Sequence, residues 1–159
     1  MNEEIKKIIS EYNKGYDDLQ DTLREIPAEA WDFKPAKDKW SIREIISHIT
    51  DSEANTFVRC RKMIAESGSE VTPYDQDLWA DYLLYSSRSI DSNLELFKNI
   101  RLINVALFMD ITHDSWNRFV MHPERGKITL KDFVLEACEH IEVHIRQMKR
   151  NHDAWNANI

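Results

Sequence analysis

Leu130, Phe133, Val134, Ala137, Ile141, Ile145 and Met148 recur every three or four residues, a spacing that predicts one long helix with a single apolar stripe. Such a stripe has to be covered, which constrains the chain towards helices packed on helices. Two histidines, His140 and His144, fall within it. Residues four apart stack one turn above the other, so both imidazoles can reach a common point. An imidazole on a core-facing stripe needs partners for its ring nitrogens, or its burial is costly. A bound metal would satisfy both rings together; a hydrogen-bonded pair of core histidines is the other reading of such a pair. The order His140-Ile141-Glu142-Val143-His144 excludes a zinc-peptidase helix, in which Glu directly follows the first His. Glu142 lies about 200° around the helix from His140, at about 100° per residue.

Three more long amphipathic segments accompany this one. Ile5, Ile8, Ile9, Tyr12, Tyr16, Leu19 and Leu23 predict a first helix over residues 2–25, slightly weakened by Gly15 and closed before Pro27. Ser41-Ile42-Arg43-Glu44 is a capping box that opens a second helix running to about Glu66, with Trp40 packing back as a staple. Its stripe is Ile42, Ile45, Ile46, Ile49, Phe57, Cys60 and Ile64. His48 sits at the stripe's edge and, read alone, is a partly exposed residue. Glu53 sits near its middle, where a carboxylate needs a partner; it is a buried acceptor, or a base or orienting group for a ligand. Ser89 or Asp91 caps a third helix reaching Met109, and Thr129 caps the fourth, which extends to Asn156. The segment between the second and third helices is long and aromatic, partly helical, with Trp79, Tyr82 and Tyr85 either lining a pocket or packing in the core. Residues 116–126 read as a connector, with His113 and His122 on loops or the surface. Four long helices with a long second connection predict an all-α four-helix bundle, a single domain over residues 1–159.

A net charge of −7, with Lys and Arg dispersed, argues against a nucleic-acid partner. The apolar runs are too short for a bilayer. Met1-Asn2-Glu3-Glu4 has no signal-peptide pattern, and the lone cysteines Cys60 and Cys138 form no CxxC pair, so a reducing, cytoplasmic setting is expected.

The segment Trp40-Ser41-Ile42-Arg43-Glu44-Ile45-Ile46-Ser47-His48-Ile49-Thr50-Asp51-Ser52-Glu53 resembles the opening motif of the second helix in the DinB/YfiT-like family. The segment from His122 to Leu130, followed by His140 and His144, resembles that family's closing motif, and Trp79 stands in a similar crossover segment. The resemblance spans essentially the whole chain. It implies an up-down-down-up bundle, often a homodimer, with one divalent metal ion, nickel or zinc, held by His48, His140 and His144. It also implies a metal-dependent enzyme. Members include transferases of low-molecular-weight thiols, bacillithiol among them, and a mycothiol-dependent isomerase; others have no known activity. The expected partners are therefore a small-molecule thiol and an electrophilic substrate, held by the aromatic crossover, with Trp79 and Tyr82 as pocket lining. Glu53 and Glu136 are candidates to orient a ligand or move protons. Metal-assisted hydrolysis and a non-enzymatic bundle stapled by metal are the alternatives.

Overall fold

The computed structural model describes residues 2–158. Its helices are α1 (Glu3–Arg24), α2 (Ile42–Ala65), α3 (Gln76–Tyr82), α4 (Ile90–Asp110) and α5 (Leu130–Asn156), with a hairpin of strands β1 (Phe119–His122) and β2 (Gly126–Thr129) before α5. Each long helix starts where a polar side chain takes up an otherwise unpaired amide. Asn2 accepts from Ile5, Ser41 from Glu44, Ser89 from Ser92 and Thr129 from Asp132. Such a cap is worth about 1 kcal/mol. At Ser41 it is reciprocal, because Glu44 Oε2 accepts from the Ser41 amide at 2.8 Å.

Side-chain contacts fix the helix directions. Tyr12 meets Phe108 and Tyr16 meets Phe97, so α1 and α4 are antiparallel. Lys131 pairs with Glu4 and Lys149 with Glu25, so α1 and α5 are parallel. Asn151 reaches the Trp40 carbonyl while His140 meets His48, so α2 and α5 are antiparallel. The four long helices therefore run up, down, down and up, as expected, and the residues after α2 cross the length of the bundle.

Apolar residues fill two clusters, one around Tyr12, Met63, Phe108 and Trp116 and the other around Leu19, Ile45, Ile49, Phe97 and Met148. A buried polar layer joins them. The Arg101 guanidinium lies over the rings of Tyr12 and Phe97, with its carbon 4.1 and 4.7 Å from their centres. It donates to Glu53 Oε2 from Nε and Nη2 at 3.2 and 3.1 Å, and to the Tyr12 carbonyl from Nη1. The Tyr12 hydroxyl donates to Glu53 Oε1 and accepts from Asn104 at 2.9 Å. Burial, and next the nearby Glu53 charge, push the Tyr12 hydroxyl well above its usual pKa, which keeps it a donor. Gly15 has its explanation here: Arg101 fills the space a Cβ would need.

The crossover turns at Gly68, where φ is +91°, and then runs beside β1. The Val71 amide donates to the Met121 carbonyl, and the Met121 amide to the Ser69 carbonyl. Where a connector was expected over residues 116–126, residues 119–129 form the hairpin, running up to the Thr129 cap, with Phe119 opposite Thr129 and His122 opposite Gly126. Gly126, at φ +71°, supplies the left-handed residue that a three-residue turn requires. Strands of four residues are too short to show a period in sequence. No described helix is long and apolar enough to cross a membrane.

Candidate metal centre

His48 projects from α2, about one turn past the capping box, and His140 and His144 project from α5 to meet it. His48 is only 2% exposed, so the partly exposed position expected of it alone is corrected: Trp40 covers its ring, with centres 4.8 Å apart. Trp40 does not simply staple the helix start. The Nε2 atoms of all three rings converge, with His140 Nε2 lying 3.1 Å from His48 Nε2 and 3.0 Å from His144 Nε2.

Protons alone do not satisfy this trio. His144 Nδ1 lies 2.9 Å from the Gln147 amide oxygen, an acceptor, which places the ring proton on Nδ1 and leaves Nε2 bare. His140 Nε2 then needs a proton to meet His144, and that same proton opposes any proton on His48 Nε2. One N–H can be aimed straight at one neighbour only. A cation between the three lone pairs fits them all. Ligand bonds of about 2.0–2.1 Å at angles of about 90–110° put imidazole nitrogens roughly 2.8–3.4 Å apart, which matches the two separations from His140, and the three donor atoms all lie within 4.8 Å of one another.

The electrostatics agree. Burial, and then the neighbouring His144 and His140, depress His48 to about 3. Burial, then His144 and Arg101, depress His140 to about 4. Burial also lowers His144, against the raising effect of Gln147. All three are neutral near pH 7, the state that ligates. His48 Nδ1 is buried without a hydrogen-bond partner, so packing against Trp40 holds that ring.

A pH dependence follows for the metal-free protein. Above about pH 6.5 these histidines are neutral both folded and unfolded, and they contribute nothing to the slope. Below it the unfolded chain takes up protons that the folded chain refuses, so stability falls from about pH 6.5 towards about 4. Urea melts in the presence of a chelator should show this fall, and His140→Ala should flatten it. An unchanged slope in the variant would contradict buried neutral rings.

The remaining candidates divide. Glu53 borders the same cavity as His140, but both of its oxygens are engaged by Tyr12 and Arg101. Glu136 also borders that cavity, half-buried at its mouth, paired with Arg125 from the hairpin turn. Tyr82 is 81% exposed on the last turn of α3 and lines no cavity beside the histidines, so its expected pocket role is corrected. Trp79 packs on Tyr74, with ring centres 4.5 Å apart, and Tyr74 forms the wall. The aromatic wall therefore stands one layer nearer the site than the sequence indicated. Sequence reasoning missed Tyr74, Arg59 and Gln147. Ser52, Thr56 and Arg59 continue the His48 face at helical spacing, which is the signal that could have found Arg59; Gln147 follows His144 at i+3, and Tyr74, in the crossover, carried no such signal.

Two cavities border the trio. One, of about 170 Å³ between α2 and α5, reaches His140; the other, of about 210 Å³, reaches His144 past Trp40, Gln76 and Gln147.

An up-down-down-up helical bundle in which α2 and α5 bring three imidazoles together, with no carboxylate among the converging donors, belongs to the class of histidine-lined metal-site bundles. Within it, the chain belongs to the DinB superfamily, whose family model matches residues 11–148. Proteins of Oceanobacillus iheyensis (28% identical over 127 residues, 77% of this chain and 73% of the relative) and Bacillus subtilis (YfiT, 27% over 118 residues, 70% and 65%) are similar to it, each named "Putative metal-dependent hydrolase". The solved structure of YfiT from Bacillus subtilis superposes with a TM-score of 0.81 at 22% identity, covering 94% of this chain and 89% of that one. The mycothiol-dependent maleylpyruvate isomerase superposes at 0.72 with 10% identity, over 91% of this chain and 60% of that longer chain. At these identities the two structures speak for the fold.

Proposed function

We propose that the protein is a metal-dependent enzyme in which His48, His140 and His144 hold one divalent ion, nickel or zinc, and that it transfers a low-molecular-weight thiol to an electrophile. The convergence of three neutral imidazole nitrogens, with no carboxylate among them, carries the first half of this reading. A divalent cation held there lowers the pKa of a thiol that reaches it, from about 8.5 towards neutrality, and orients the sulfur.

The chain's own residues do the rest. Gln147 fixes the tautomer of His144, and Trp40 shields the His48 ring from water. The cavities on the His140 and His144 sides give two reactants separate approaches. Neither cysteine serves as nucleophile: Cys60 is buried, and Cys138 is pushed up to about 11, chiefly by burial, with its thiol turned to the Val134 carbonyl.

Hydrolysis is the second reading, favoured by the names of the relatives. It needs a general base for water. Glu53 is committed to Arg101 and Tyr12, which leaves Glu136, once released from Arg125, as the carboxylate for that role.

A direct assay separates them. Metal-loaded protein is mixed with 1-chloro-2,4-dinitrobenzene and a panel of small thiols, and in parallel with activated esters lacking thiol. The transfer reading expects thiol-dependent conjugation that is lost in His140→Ala. Ester cleavage that needs no thiol and is lost in Glu136→Gln would replace it with hydrolysis.

A further inference from the structure

Arg59 is a half-buried residue on the wall of the 170 Å³ cavity that ends at His140. One face of its guanidinium is steadied by Tyr74, with its carbon 5.9 Å from the ring centre, and Nη2 donates to the Thr72 carbonyl at 2.9 Å. That leaves further N–H groups of a five-donor fork without a carboxylate. Its charged neighbour is Arg125, a like charge, which is itself tied to Glu136 at the cavity mouth. The other carboxylate on the wall, Glu53, is neutralised by Arg101. The cavity thus holds a surplus positive charge in a chain whose net charge is −7.

His48, Ser52, Thr56 and Arg59 follow one another along one face of α2. Eleven residues separate the histidine from the arginine, about 16 Å along the helix axis at 1.5 Å each, and the long arginine side chain shortens the gap. The Ser52 and Thr56 positions line the path between them.

We propose that Arg59 is the anion-binding residue of this cavity. The reactant whose reacting group lies at the three histidines then carries a carboxylate several bonds away, and that carboxylate pairs with Arg59. This rests on the metal-site reading above and specifies its substrate class: an acidic small molecule, not a neutral one. A guanidinium–carboxylate pair in a partly dry cavity discriminates by roughly tenfold or more against a neutral analogue.

The test uses two thiols of the same skeleton, glutathione and its diethyl ester, titrated calorimetrically into metal-free and zinc-loaded protein. Wild type is compared with Arg59→Met and Arg59→Lys, and zinc stoichiometry confirms that each variant is folded. The proposal expects wild type to prefer the free acid by at least about tenfold. It expects Arg59→Met to bring the ratio to about one, and Arg59→Lys to fall between. An equal ratio in wild type and Arg59→Met, or no binding of either compound, overturns it. If the acid preference holds but zinc strengthens neither compound, the Arg59 assignment stands and the thiol-transfer reading fails.

Discussion

Glu53→Ala should lower the unfolding free energy by about 3–5 kcal/mol, because it strands the Arg101 charge inside the bundle. The two side chains are 4% and 2% exposed, and their 3.1 Å contact has no solvent to replace it. The Tyr12 hydroxyl loses its acceptor in the same variant. The loss is not the worth of the ion pair. Removing both charges, in Glu53→Leu with Arg101→Met, should recover much of it, since a buried pair and an apolar replacement of similar volume are often close in stability. Urea melts of the two variants measure the difference. If Glu53→Ala melts like wild type, the polar layer is not a closed buried network. If metal affinity is kept in the double variant, Glu53 serves the fold and not the ion.

Each of His48→Ala, His140→Ala and His144→Ala should weaken divalent-ion affinity by more than a hundredfold, while Gln147→Ala should weaken it by about 10–100-fold. The ordering follows from the geometry: the histidines supply the nitrogens, whereas Gln147 only orients one of them. Competition titrations against a chromophoric chelator rank the four variants. A Gln147→Ala loss as large as the histidine losses would mean that the amide itself is a ligand. An unaffected His48→Ala would reduce the site to the pair on α5.

The bundle was legible in sequence because four stripes keep the helical period and three of them open at caps readable in advance, Ser41, Thr129 and, of the two candidates Ser89 and Asp91, Ser89; Asn2 caps the first. The pairing of His140 with His144 was legible for the same reason, since spacing within one helix is local geometry. The third histidine was not, because its meeting with α5 spans 92 residues of sequence and came only from resemblance to a known family. Arg101 was invisible on its own helix: a lone charge in an apolar run has no signature until its partner Glu53, 48 residues away, is brought beside it. Gly15 looked like a weak point of α1 and is the space that lets that arginine in. The hairpin failed to show because its strands are held by backbone bonds, with the segment after α2 docked alongside, and not by an alternating pattern.

X-ray absorption at the metal edge, on untagged protein purified without chelators, decides whether three imidazoles hold one ion. The expected spectrum shows one divalent ion per chain with the multiple-scattering signature of three imidazoles, reduced to two in His140→Ala. An ion with sulfur or carboxylate ligands in place of the imidazoles, or protein that retains no ion when offered nickel or zinc, would contradict it.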